Sequence, residues 1–215
     1  MVIPMGADSS DVEGLVKQAA AGDAGSWAEL MKRYRSRLRR MVSFRLDSRL
    51  QGRVDPSDVV QDVFLEAWQH LESYAIEPNT PFFLWLRAVA GHTLGDLHRH
   101  HLGARMRDAR REVSLYLGSM PGATSAALAA QLQGHLTRPS EAAVRAERKI
   151  QLQTALNTMD PIDREVLALR HFEQLTVSEA AAVLGIKQKA AGMRYVRALR
   201  RLKGILTSLG GLAEP

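Results

Sequence analysis

The sequence predicts an all-α protein: two small helical domains joined by a flexible linker, the second ending in a helix-turn-helix. Three observations carry this. Apolar residues recur at three- and four-residue spacing through most of the chain, with little of the alternation a strand needs. Helix starts are written in capping chemistry, as in Asp55-Pro56-Ser57-Asp58 and Asp160-Pro161-Ile162-Asp163. Between residues 112 and 140 the composition shifts to Gly, Ala, Ser, Thr and Pro, the signature of a linker, with a weak helix through Ala126 to Leu132.

The totals narrow the classes. Against 23 acidic residues stand 29 Lys and Arg, a formal charge of +6 in 215 residues, which favours nucleic acid or an acidic surface as partner. Cysteine is absent, so no disulfide, zinc–cysteine site or thiol nucleophile is available. No apolar run reaches the roughly 18 residues of a membrane span. Residues 1–10 lack the basic opening and apolar run of a signal peptide and read as a loose tail, so a cytoplasmic location is expected.

In the first domain a helix starts at Asp11 and carries Val12, Leu15, Val16 and Ala19. Gly22-Asp23 breaks it, and Asp23 suits the cap of a longer helix carrying Trp27, Leu30, Met31, Tyr34, Leu38 and Met41. From Lys32 to Arg53, nine basic residues face Asp47 alone, which fits either a solvated helix face or part of a polymerase or nucleic-acid surface. After Asp55-Pro56, the residues Val60, Val63, Phe64, Ala67 and Leu71 mark a buried stripe. Asp58, Asp62, Glu66 and Gln69 fall on the other side. The helix dipole accounts for an acid in the first turn but not for Asp62 and Glu66, so this face reads as a docking surface for a basic partner. Ser73 to Thr80 is a loop, and Thr80-Pro81 starts the next helix. That helix opens with Phe82, Phe83, Trp85 and Leu86 and then turns polar and basic. Rings leading into cations suit single-stranded nucleic acid, although at least two of the three large aromatics are expected in the core. His98 and His101 share one side, but no carboxylate or cysteine completes a ligand set, so no metal site is expected.

The second domain starts near Glu141 with a helix along Ala143, Ala146, Ile150, Leu152, Ala155 and Leu156. Asp160-Pro161 opens another helix, which runs into Arg170-His171-Phe172. Thr176 and Glu179 form a capping box, and Gly185 suits the left-handed end of the short helix that follows. A second helix starts near Lys187, packing through Ala191, Tyr195, Ala198 and Leu202. From Lys187 to Lys203 it carries seven basic residues and no acid, a composition suited to a polyanion.

Three strings carry a resemblance to the extracytoplasmic-function sigma factors of bacterial RNA polymerase. They are Asp55 to Trp68, Phe82 to Asp96, and Asp160 to Phe172 together with the helix-turn-helix. The resemblance implies a transcription initiation factor, with no catalysis and no cofactor, that binds core RNA polymerase and promoter DNA. It implies domain boundaries of 11–111 and 141–207 around a linker at 112–140 that spans the two promoter elements. Asp58, Gln61, Asp62 and Leu65 would dock on the polymerase. Tyr74, Asn79, Trp85, Arg87, His92, Thr93 and Arg99 would capture the melted −10 element. Lys187, Lys189, Met193, Arg194 and Arg197 would face the −35 groove. An anti-sigma factor is a further candidate partner, and the free chain is expected to be a monomer without membrane insertion. The pattern departs at Gly91-His92, where relatives often carry Arg-Asn, and at Gly192, where a basic base-contacting residue is common. A dimeric helix-turn-helix regulator is the rival reading, but it leaves the acidic face and the aromatic–basic segment without a task.

Overall fold

The computed structural model describes residues 8–50, 52–102, 120–136 and 142–209. Among these, helices α1 (Asp8–Ala20), α2 (Ala24–Arg45), α3 (Pro56–Ile76) and α4 (Phe82–Leu102) form one bundle. Helix α5 (Ser125–Leu136) packs on α6 (Ala142–Asn157). Helix α7 (Pro161–Leu167) runs into a π-helical turn, Ala168–Phe172, and α8 (Val177–Leu184) and α9 (Gln188–Ser208) complete the second bundle.

The capping signals do what their chemistry dictates. The Asp23 carboxylate accepts from the amides of Gly25 and Ser26 at 3.3 and 2.9 Å, Asp55 from Ser57 at 2.7 Å, and Asp160 from Ile162 at 2.9 Å. Thr176 Oγ1 accepts from the Glu179 amide at 3.1 Å while Glu179 Oε2 accepts from the Thr176 amide at 2.8 Å, closing the capping box. Gly185 ends α8 at φ 64°, where a Cβ would crowd the next carbonyl. The start of α4 differs from expectation. The Pro81 carbonyl accepts from Leu84 and Trp85, so Pro81 takes the cap position and the helix begins at Phe82. Helix α1 likewise begins at Asp8, so residues 8–10 belong to it rather than to a tail.

The apolar stripes meet as their spacing requires. Leu30, Leu38 and Met41 of α2 and Val60, Val63 and Ala67 of α3 are fully buried, as are Leu86 and Leu94 of α4. A fully buried leucine contributes about 1.5–3 kcal/mol through the water it sheds. Phe82 and Phe83 are core, packed with Tyr34 at ring separations of 5.4 and 5.8 Å, in line with their expected role. In the second bundle Ala191 and Ala198 present small faces that let α9 approach closely.

Residues 120–136 are not an open tether. Met120, Pro121 and Ala123 are buried, the first two beside Gly91 and Arg45 of the first bundle and the third at Glu165 of the second, and Leu128 and Ala129 of α5 are core. The remaining linker positions, 112–119 and 137–140, lie outside the described residues. Gly91 explains the docking of Met120. A Cβ at Gly91 would sit 3.1 to 3.3 Å from the backbone N, Cα and Cβ of Met120. The glycine thus opens a slot in α4 through which the returning chain passes.

The two bundles share one core. Phe44 of α2 stacks on Phe172 at 5.1 Å and 9°. Beside that stack lies a buried ion cluster. Arg45 donates through Nε to Glu173 Oε1 at 2.7 Å and through its terminal nitrogens to both oxygens of Glu165, at 2.5 and 3.0 Å. Arg87 Nε donates to Glu173 Oε2 at 2.8 Å. Two backbone groups of the connecting segment join: the Pro121 carbonyl accepts from Arg45 at 2.7 Å, and the Ala123 amide donates to Glu165 at 2.8 Å. The basic run of α2 is therefore neither simply solvated nor simply a binding face. Arg33 pairs with Asp11 at 2.9 Å, Arg37 with Glu179 at 3.1 Å, and Arg40 with the Gln174 side chain at 2.9 Å.

Candidate functional site

Three surfaces collect the candidate residues. The first is the outer face of α3. Because Val60, Val63, Phe64, Ala67 and Leu71 point inward, helical geometry turns Asp58, Gln61, Asp62 and Leu65 outward, and all four are exposed. Leu65 is 65% exposed and Trp68, one turn on, 41% exposed. An exposed leucine and tryptophan flanked by two acids make a mixed acidic–apolar patch, the composition of an interaction face. Reading the sequence for charge alone misses Trp68; the signal available is its position three residues beyond Leu65. Glu66 does not join this face. It is half-buried and accepts from Thr93 Oγ1 at 2.8 Å, tying α3 to α4.

The second surface is the α3–α4 loop and the outer side of α4. Tyr74 and Trp85 stack at 4.5 Å and 20°, and the Tyr74 hydroxyl donates to the Thr80 carbonyl at 2.8 Å, closing the loop on itself. Partial burial, reinforced by Tyr34 and Glu13, pushes the Tyr74 hydroxyl up to about 12, so it remains a donor at neutral pH. Asn79 sits exposed at the loop, and His92 and Arg99 are exposed along α4, with Arg99 paired to Asp96. Thr93 is half-buried through its bond to Glu66. Arg87 departs from expectation. It is 4% exposed and its guanidinium faces Glu173, not solvent. On α4 it follows Leu86 and precedes Ala90 on the inward stripe, so its helical position directs it into the core. The histidine run divides in the same way. His98 is buried, its Nε2 accepting the Asp47 amide at 3.2 Å, while His100 and His101 are exposed.

The third surface is α9. Lys187, Lys189 and Arg197 are exposed, as are Arg200, Arg201 and Lys203, and Met193 is 53% exposed beside them. Arg194 is half-buried and pairs with Asp163 at 3.0 Å, which orients it along the start of α7. A cationic helix held on a two-helix platform by a glycine turn presents its charge in one direction, as major-groove readers do.

Sequence reasoning does not find Arg45, Glu165 and Glu173 as partners. A local signal exists for the arginine. It continues the buried series Leu38, Met41, Val42 at helical spacing, so a cation stands on an inward stripe.

Such a fold, with an acidic–apolar helix face on one bundle and a cationic helix-turn-helix on the other, defines a DNA-binding transcription protein. The family model for Sigma-70 region 2 matches residues 30–102 and that for Sigma-70, region 4 matches residues 149–202, together more than half the chain. The RNA polymerase sigma factor CnrH of Cupriavidus metallidurans is 28% identical over 193 residues, 89% of this chain and 92% of that protein. The ECF RNA polymerase sigma factor SigD of Mycobacterium tuberculosis is 26% identical over 202 residues, 94% of this chain and 87% of its own. Among solved structures, CnrH in complex with the cytosolic domain of CnrY matches with a TM-score of 0.54 and 26% identity, covering 92% of this chain and 98% of that one. The chain belongs to the sigma-70 family, in its extracytoplasmic-function group, and is a promoter-specific transcription initiation factor. Members of this family are regulatory initiation factors rather than catalysts. Among the described residues no helix is long and apolar enough to cross a membrane.

Proposed function

We propose that this chain binds core RNA polymerase through the outer face of α3 and carries it to promoters by reading a −10 element with the first bundle and a −35 element with the second. One observation carries the docking assignment: Leu65 stands 65% exposed between the exposed Asp62 and the exposed Trp68. Burying that leucine and ring against a basic partner would satisfy both the apolar and the charged part of the face. Asp58 and Gln61 extend it.

The loop carrying Asn79, with the Tyr74–Trp85 stack, His92, Thr93 and Arg99, is suited to a single strand whose bases have left the duplex. Unstacking costs a few kcal/mol, which ring contacts and cations can offset. Arg87 would reach this strand only on leaving Glu173. On α9, Lys187, Lys189, Arg194 and Arg197 would serve phosphates and base edges, with Met193 positioned for apolar contact. The working domains are residues 11–111 and 141–207, the segment 112–140 connects them, and the protein acts in the cytoplasm as a free monomer until it meets polymerase. The similar sigma factor CnrH forms a complex with the cytosolic domain of CnrY. That complex supports an anti-sigma factor as a partner here.

Run-off transcription with core polymerase tests the reading. The wild-type chain should direct a promoter-specific product from a cognate template found by mapping polymerase-bound genomic sites. Asp62→Arg places a cation against a basic partner, a like-charge contact costing several kcal/mol, and should weaken polymerase affinity about a hundredfold with the fold intact. Arg197→Ala should lower promoter affinity and reduce the salt slope by about one. Unchanged polymerase affinity for Asp62→Arg would reject the docking face.

A further inference from the structure

Helix α9 carries more than charge on its solvent side. Its other sides are occupied. Ala191 and Ala198 are buried, a Cβ at Gly192 would stand 3.7 Å from Val177 Cγ1 of α8, and Arg194 is tied to Asp163 of α7. Arg201, two turns beyond Arg194 on the same flank, donates to the Thr158 carbonyl at 2.6 Å. At about 100° per residue, Lys189, Met193, Val196 and Arg200 fall within an arc of about 60° opposite the buried alanines. All four are exposed, Met193 by 53% and Val196 by 45%. Leu199 is turned about 60° from Val196 toward α8 and stays outside the arc.

A single exposed apolar side chain is ordinary. Here two adjoin at i, i+3 in the middle of the most cationic face of the bundle, among Lys189, Arg197, Arg200 and Lys203, and no acid lies between Lys187 and Lys203. The charge selects a polyanion, and the apolar pair selects one that bears apolar groups between its charges. Duplex DNA does so at thymine, whose C5-methyl lies on the floor of the major groove.

The dimensions agree. From Lys189 to Arg200 the helix rises about 16 Å, at about 1.5 Å per residue. The major groove is about 12 Å wide, so these two cations reach its phosphate walls while Met193 and Val196 lie over its floor. The pair is separated by about 4.5 Å of rise, against about 3.4 Å between base pairs, so the two side chains meet neighbouring pairs. Neither brings a hydrogen-bond donor. Over guanine, adenine or cytosine they would cover polar edges without replacing the lost bonds to water. Over thymine they bury a methyl.

We propose that Met193 and Val196 are specificity-determining residues that select two neighbouring thymines in the upstream promoter element, by apolar contact with their C5-methyl groups. The thymine preference rests on the promoter-reading function above and gives that site its base choice.

Deoxyuridine removes the methyl and nothing else. Holoenzyme assembled from the full chain and core polymerase is offered the promoter duplex recovered from polymerase-bound genomic sites, made with thymine or with deoxyuridine in its upstream element. The recovered elements should share two neighbouring thymines. Loss of one buried methyl should cost about fourfold in affinity, and loss of both roughly fifteenfold. Met193→Ala combined with Val196→Ala should weaken binding to the thymine duplex and abolish the difference between the two duplexes. Its salt slope should stay that of the wild type, since no charge is altered, and circular dichroism should confirm the fold. Arg197→Ala should do the reverse, with a shallower salt slope and the thymine preference retained. Upstream elements without neighbouring thymines, or equal affinity for both duplexes while Arg197→Ala still weakens binding, overturn the thymine contact and leave the promoter function standing. Weaker binding of the double variant to core polymerase without DNA makes the pair a protein contact and likewise overturns it. If no form binds polymerase, the function reading falls. The full chain alone, on genomic fragments amplified with thymine or with deoxyuridine, then decides the contact: equal retention of the two pools overturns it, and retention that favours thymine only with Met193 and Val196 intact upholds it.

Discussion

Replacing Gly91 by alanine sets two calculable effects against each other. In the interior of α4 the substitution gains about 1 kcal/mol of helix propensity. The new Cβ, however, would stand 3.1, 3.2 and 3.3 Å from the N, Cα and Cβ of Met120. Two of those atoms are backbone, and the segment just beyond is tied by Arg45 to the Pro121 carbonyl at 2.7 Å and by Glu165 to the Ala123 amide at 2.8 Å. Overpacking against a tethered backbone typically costs 1–3 kcal/mol, so about 2 kcal/mol of docking stability should be lost, which the propensity gain offsets only in the stability of the whole fold. Amide exchange is the assay. The Ala123 amide, protected by a buried carboxylate, should exchange roughly thirtyfold faster, since about 1.4 kcal/mol corresponds to tenfold. Amides of α4 itself should not accelerate. Gly14 is the control: nothing lies within 4 Å of its Cβ position, so Gly14→Ala should only stabilise. Slower or unchanged exchange at Ala123 would show that the segment yields freely and that Gly91 is not a slot.

Two further outcomes follow from the same geometry. Thr176→Ala removes the hydroxyl that accepts from the Glu179 amide at 3.1 Å, and should cost about 1 kcal/mol, a melting shift of about 2–4 °C; an unchanged melting point would mean that the cap is replaced by another partner. Acid should open the interdomain contact: burial raises the Glu173 carboxyl, but Arg45 of α2 and Arg87 of α4 outweigh it and hold it at about 2 against an ordinary 4.5, with Glu165 of α7 as the facing acid. A lowered carboxylate stabilises the closed form fully above its free value and loses that contribution as pH falls, so small-angle scattering should record expansion between about pH 4.5 and 2. Expansion already complete at pH 6 would contradict this.

Much of the chain is legible from local chemistry. Asp23, Asp55, Asp160 and Thr176 cap the helices that their spacing announces, and Gly185 takes the left-handed turn, because such signals act within four residues. The same holds for the exposed quartet of α3 and the acid-free face of α9, since helical periodicity alone decides which side chains share a side. Arg87 shows where local reading stops. The resemblance to sigma factors implies that Arg87 contacts the −10 strand, and the fold instead gives it Glu173, a partner 86 positions away.

Local pattern thus accounts for most of the helices and their caps, for which side chains of α3 and α9 face out, and for the family of initiation factors to which the chain belongs, but not for the start of α1, the start of α4 or the run of α3 to Ile76 through an expected loop. The neutralisation of Glu165 and Glu173 by Arg45 and Arg87, the admission of Met120 by Gly91, and the packing of one bundle on the other emerge from the folded molecule alone. The reason is physical. Caps and amphipathic faces are set by neighbours a turn or two apart, whereas a buried charge can take any opposite charge in the chain, and only packing of the whole molecule selects which one.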